Sequence, residues 1–202
     1  MELRTAPLER VLDAFAASEP LPGGGSAAAL TGAIGVSLLL MVAGMTKTRT
    51  GTPEEAADLS AAAARLRSIR EELTTLVDED SRAYLTVIAA YRQPKATPDQ
   101  QGRRLDAIQA ALRVAIEAPL QTMRLCERAL RDAPVVCRSG NPNAAADAVV
   151  GTKLLVAALE GAGVNVDVNL PRVTDADYVR ASTDERQSLL RRARVFAEQA
   201  EG

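Results

Sequence analysis

The sequence predicts an all-α, single-domain bundle of long helices packed around a buried helix of small residues. Three observations predict it. Hydrophobic residues make up 47% of the 202-residue chain, yet aromatics make up only 2% and there is no Trp. A core built from Ala, Leu, Val and Ile suits closely packed helices better than a β-sandwich, which leans on aromatic and β-branched side chains. Residues 27–45 carry no charge and are rich in Ala27, Ala28, Ala29, Gly32, Ala33, Gly35, Ala43 and Gly44. Elsewhere, apolar residues recur at spacings of three and four over long stretches, the signature of one helix face.

The elements follow in order. Leu3, Leu8, Val11, Leu12 and Phe15 suggest a short first helix. Pro20-Leu21-Pro22-Gly23-Gly24-Gly25-Ser26 breaks it, because such a run does not continue a helix cheaply. Ser26 is the expected N-cap of the charge-free helix. That run is long enough to cross a bilayer, but it lacks an aromatic belt and a Lys/Arg asymmetry at its ends. It is read as a helix buried on all sides at the centre of a bundle or dimer. Thr52-Pro53-Glu54-Glu55 starts the next helix, with a cap, a proline at the first position and acids behind it.

This helix is expected to run to about Arg92, with the stripe Leu66, Ile69, Leu73, Leu76, Asp80, Tyr84, Val87 and Tyr91. A second long pattern holds Leu105, Ile108, Leu112, Met123, Cys126 and Leu130, with Pro119 expected to kink or split it. Pro134 and Ser139-Gly140-Asn141-Pro142-Asn143 mark the next break. A helix follows from about Ala144, with Asp147, Val150, Leu154 and Ala158 on one side. Residues 164–170 fit either a strand, by alternating valines, or a helix, by the spacing of Asn165 and Asn169. A polar helix from about Asp175 to Glu198 ends the chain. The core should be led by Leu38, Leu39, Leu66, Leu73, Leu76, Leu154 and Leu155. No domain boundary or internal repeat interrupts residues 1–202.

Composition also narrows the chemistry. Lys plus Arg is 24 and Asp plus Glu is 26, a formal net charge of −2. No basic footprint for nucleic acid results. The chain has no His, which removes His triads, imidazole acid–base work and His metal sites. Cys126 and Cys137 lack metal-ligand spacing and read as free thiols of a reducing, cytoplasmic compartment. The charged segment Met1–Arg10 does not resemble a signal peptide.

Four features carry candidate chemistry. Asp80 stands where its stripe calls for an apolar side chain. A carboxyl among Leu76, Tyr84 and Val87 should have a raised pKa, which suits proton transfer near neutral pH. The structural alternative is a carboxylate paired with Arg or capping another helix. Asp78, two residues away, points off the stripe and reads as a solvated surface acid. Second, the Gly23–Ser26 run at a helix start offers backbone N–H groups to an anion or carbonyl, or a tight turn. Third, Asn141 and Asn143 precede a helix, where Asn143 also reads as an ordinary cap, and Asp147 repeats the Asp80 pattern on a face of Val150, Leu154 and Ala158, while Asn165 and Asn169 add amides able to read a pterin-like edge or to serve helix ends. Fourth, Lys47 and Arg49 follow the buried helix, either as ordinary C-terminal cations or as a positive mouth for an acidic substrate.

These residues together resemble the cyclodeaminase/cyclohydrolase family. The carrying motifs are Pro22-Gly-Gly-Gly-Ser26 before the small-residue helix, Leu76-Val-Asp78-Glu-Asp80 with Ala83-Tyr84, Gly140-Asn141-Pro-Asn143 leading to Asp147, and Asn165-Val-Asp-Val-Asn169-Leu170. The family includes the cyclodeaminase domain of formiminotransferase-cyclodeaminase and the stand-alone bacterial methenyltetrahydrofolate cyclohydrolases. The resemblance implies a homodimer of long helices acting on a tetrahydrofolate derivative at the carbon bridging N5 and N10, without metal or redox cofactor. It implies Asp80 as the catalytic acid–base. It also implies a substrate site drawn from Gly23, Gly24, Gly25, Ser26, Lys47, Arg49, Tyr84, Asn141, Asn143, Asp147, Asn165 and Asn169. Members usually carry Ser-Asp-Ala-Gly around the position of Asp147, where this chain has Ala146-Asp147-Ala148-Val149. That departure favours the competing reading, a non-catalytic folate-binding or regulatory dimer of the same fold.

Overall fold

A computed structural model describes residues 2–45 and 51–201. Among these residues there are six α-helices and no strand: α1 (Leu8–Ala16), α2 (Gly24–Gly44), α3 (Pro53–Tyr91), α4 (Pro98–Ser139), α5 (Ala145–Asn169) and α6 (Ala176–Glu201). Short 3₁₀ turns at Leu3–Thr5, Pro142–Ala144 and Leu170–Arg172 connect or flank them. Helices α2 to α5 pack together, and α6 lies against α4 and α5.

The long helices start where the sequence signals them. Thr52 and Glu55 form a reciprocal capping box at α3, and Thr97 and Gln100 do the same at α4. Each box satisfies two N–H groups that the helix itself cannot. Neither Pro119 nor Pro134 divides α4. Each proline removes one hydrogen bond, but this stretch is anchored by side chains buried among α3, α5 and α6, including Leu120, Met123, Leu130 and Ala133. Packing on several sides outweighs the local loss, so α4 runs through Pro134 and ends at the second of the two expected break signals, Ser139-Gly140. The ambiguous 164–170 stretch is helical to Asn169.

The small residues of α2 let backbones meet. A Cβ added to Gly35 would come within 2.8 Å of the Gly151 carbonyl oxygen, and one on Gly151 within 2.9 Å of the Gly35 oxygen. Helices α2 and α5 therefore touch backbone to backbone. Leu39, Leu66, Leu73, Leu76 and Leu155 are buried as expected, while Leu38 and Leu154 are half-buried. The expectation that α2 is enclosed on all sides does not hold within one chain. Ile34 and Met41 on α2 and its C-cap Met45 are exposed, as are Val150, Val164 and Val168 on neighbouring α5. Both segments are long and apolar enough to cross a membrane by length and composition. In this fold each packs its other face into the bundle.

Candidate active site

The start of α2 is capped from another helix. Gly23 occupies the N-cap position and makes no side-chain cap bond, so Ser26 is not the N-cap but lies inside the first turn. The Ser26 backbone N–H donates to Asp80 Oδ2 at 3.0 Å, and the Ser26 hydroxyl donates to the same oxygen at 3.3 Å. Asp80, reaching over from α3, supplies the acceptor that Ser26 was expected to supply. Its negative charge also meets the positive end of the helix dipole. The glycines make this approach possible. A Cβ on Gly25 would lie 2.0 Å from Asp80 Oδ1, and one on Gly24 would lie 3.4 Å from Asn165 Nδ2.

Asp80 is half-buried. Burial pushes its pKa above the ordinary carboxylate value, and the two Ser26 bonds pull part of the way back. The other buried acids are treated differently. Asp132 takes a bidentate bond from Arg65, and Glu127 is bonded by Arg131 and Arg192. Among the described residues no cation pairs with Asp80. It is desolvated, held by donors, and not neutralised, the combination that suits a group that gives and takes protons.

Asp80 opens on a cavity of about 320 Å³. Gly23 and Gly24 line one wall, Tyr84 and Val87 of α3 the next, and Asn165, Val168 and Asn169 of α5 another. Asn165 Nδ2 donates to the Gly161 carbonyl and Asn169 Nδ2 to the Asn165 carbonyl, both at 3.0 Å. Their Oδ1 atoms receive no described donor and so stay available as acceptors. Tyr84 is exposed at the rim; of the stripe beyond Asp80, Val87 stays in the core while Tyr84 and Tyr91 are exposed. One lining residue escaped the sequence reading. Arg172, in the turn after α5, borders the same cavity. Pro171 beside it suggested only a helix end.

Other expectations need correction. Asp78 is not a solvated surface acid. It is 6% exposed, its Oδ1 accepts the Leu3 backbone N–H at 2.7 Å, and Arg4 Nε lies 3.7 Å from its Oδ2. The N-terminal segment folds over α3 and covers it, a long-range contact that α3's own periodicity could not reveal. Asn141, Asn143 and Asp147 do not join Asp80 within one chain. Asp147 and Asn165 are eighteen residues apart on α5, about 27 Å along the axis. Asn141 Oδ1 accepts the Asn143 N–H at 2.9 Å, closing the turn before α5. Asp147 sits half-buried in the first turn of α5, beside exposed Val150, so it does not repeat the Asp80 anomaly. Lys47 and Arg49 lie outside the described residues.

Comparison with known proteins agrees with this architecture. A family profile described as formiminotransferase-cyclodeaminase matches residues 7–188. A methenyltetrahydrofolate cyclohydrolase of Methylorubrum extorquens is 35% identical over 95% of this chain and 92% of its own length. The chain belongs to the formiminotransferase-cyclodeaminase family. Another family relative, the Gallus gallus formimidoyltransferase-cyclodeaminase, is 32% identical over 87% of the chain, which spans only 32% of that longer protein. The crystal structure of formiminotetrahydrofolate cyclodeaminase from Thermotoga maritima superposes with a TM-score of 0.87, covering 99% of this chain and 96% of that one. At 22% identity that match speaks for the family fold.

Proposed function

We infer that the protein is a folate one-carbon enzyme acting at the carbon that bridges N5 and N10, a methenyltetrahydrofolate cyclohydrolase or formiminotetrahydrofolate cyclodeaminase. The observation that carries this reading is Asp80, a desolvated carboxylate that has no cation partner among the described residues and faces a cavity whose Asn165 and Asn169 amide oxygens receive no donor from those residues. In the hydrolytic reaction, water attacks the bridging carbon of the methenyl cation and Asp80 takes the water's proton. The bond from that carbon to N5 then breaks, Asp80 returns the proton to N5, the remaining hydroxyl proton passes to solvent as the formyl C=O forms, and 10-formyltetrahydrofolate leaves. In the deaminating reaction, N10 attacks the formimino carbon and gives its proton to Asp80. The proton passes to the departing nitrogen and ammonia is released. An ionised carboxylate beside the bridging carbon favours the cationic species in both directions. The Asn165 and Asn169 oxygens accept the pterin's N–H groups, and Gly23 to Ser26 let the ring lie against the backbone. The chemistry runs on side chains and substrate alone, in the cytoplasm.

The same reading includes a homodimer formed through the exposed faces of α2 and α5. The strip is roughly 30 Å long and roughly 20 Å wide. That is on the order of 600 Å² per protomer, near the ~800 Å² of a standard interface. A two-fold interface with the helices antiparallel encloses α2 fully. It also brings Asn141, Asn143 and Asp147 of one protomer towards the Asp80 cavity of its partner. Substituting Ile34→Glu places a charge on this face and yields a monomer in sedimentation. An unchanged dimer would reject the interface.

The assay is the absorbance of 5,10-methenyltetrahydrofolate with purified protein. Enzyme-dependent loss in water marks a cyclohydrolase, and gain from 5-formiminotetrahydrofolate marks a cyclodeaminase. No turnover in either direction would return the protein to a binding role.

A further inference from the structure

The cavity beside Asp80 is bordered by one arginine, Arg172, and the rest of the lining gives it no acid partner apart from Asp80 itself. Its backbone is fixed more firmly than a loop residue requires. Leu170 is buried, the Val173 N–H donates to the Leu170 carbonyl at 3.0 Å, and Pro171 restricts the chain between them. Gln109 of α4 holds the turn from outside. Its Nε2 donates to the Arg172 carbonyl at 3.1 Å, and its Oε1 accepts the Thr174 N–H at 2.9 Å.

The guanidinium, by contrast, is uncommitted. Arg65, Arg113, Arg124 and Arg192 all hold carboxylates. Among the described residues none bonds the Arg172 side chain, which is exposed at the cavity's edge. A fixed backbone presenting a free guanidinium beside a small-molecule cavity is the arrangement that receives a carboxylate. The cavity, about 320 Å³, lies at the small end of ligand pockets, roughly 300–1,000 Å³. It suits a bicyclic head whose tail runs out past the rim.

We propose that Arg172 binds a glutamate carboxylate of the folate tail and so sets the enzyme's preference for glutamate-bearing substrates. This rests on the folate reading above, in which the substrate is cationic at the bridging carbon and anionic at its far end. Asp80 and Arg172 then meet the two ends by charge. Arg172 is a binding residue with no part in the proton transfers.

The test compares kcat/KM for 5,10-methenyltetrahydrofolate with that for its glutamate diamide, in which both carboxylates are neutral. Wild type is expected to prefer the charged substrate by roughly tenfold or more, the range of a charge-assisted hydrogen bond. Arg172→Ala brings the ratio close to one, and Arg172→Lys keeps part of it. A wild type that does not distinguish the substrates overturns the proposal. So does an Arg172→Ala variant that slows both substrates equally and keeps the ratio, the mark of a merely structural residue. If wild type turns over neither, the folate reading itself has failed and the proposal falls with it.

Discussion

Asp78 and Asp80 stand two residues apart on α3, and the fold uses them in opposite ways. Two residues turn a helix by about 200°, so the side chains leave on opposite sides. Asp78 is covered by the N-terminal segment, accepts the Leu3 N–H and has Arg4 close by. It borders a hollow of about 470 Å³ with Leu3, Arg82 and Leu85, which contains none of the residues that the motifs single out for chemistry. Asp80 is less buried, has no cation partner among the described residues, and faces the cavity that gathers Gly23, Gly24, Tyr84, Asn165 and Asn169. Depth of burial is therefore a poor guide to which acid reacts. What distinguishes Asp80 is desolvation without neutralisation, next to space for a ligand.

The contrast can be broken at several points. Replacing Asp80 by Asn keeps the shape but removes the base. Turnover is expected to fall by roughly 10²–10⁴, the usual contribution of a general acid–base, with no loss of thermal stability. Gly25→Ala leaves Asp80 in the sequence but drives a methyl into its carboxylate, 2.0 Å from Oδ1. Displacing a reacting group by about 1 Å costs on the order of a hundredfold, to be read in kcat/KM. Asp78→Ala acts on the other axis. It strands the Leu3 N–H and should lower unfolding free energy by about 1–3 kcal/mol in denaturant titration, with kcat/KM little changed.

The smallest effect is expected at Ser26. Asp80 works as a base in its ionised form, and its pKa is raised, so activity falls as pH falls through that raised value. Ser26→Ala removes one bond that favours the ionised form, so the acid limb of the pH–rate profile moves to higher pH. A limb that stays in place would show that the hydroxyl does not tune Asp80. Stability follows the opposite sign. The folded state holds the Asp80 proton more tightly than the unfolded one, so the cost of ionised Asp80 is relieved as pH falls through the folded pKa.

Much of this was legible in the sequence for physical reasons. The cap at Thr52 is local and was read, the equally local box at Thr97 was not, and α3 to α6 end within a few residues of their signals. Asp80 was visible because an acid broke an otherwise apolar stripe. Its partner was not visible, because the Ser26–Asp80 contact joins residues 54 apart. The same distance effect hid the burial of Asp78 beneath Leu3. It also let Ser26 pass for a cap when a side chain from another helix does the capping. Pro134 looked like a stop because local rules count the lost hydrogen bond and omit the packing of Leu130 and Ala133 around it. Arg172 was missed because a single Arg after a proline has no periodic or motif signal. Only the folded chain brings it to the cavity.

The most direct measurement places Asp80→Asn and Asp78→Asn side by side, reading methenyltetrahydrofolate turnover and melting temperature for each. The account predicts that the Asp80 variant melts no lower than wild type and has lost turnover, while the Asp78 variant melts lower and turns over substrate. Full turnover by a folded Asp80→Asn protein would contradict it.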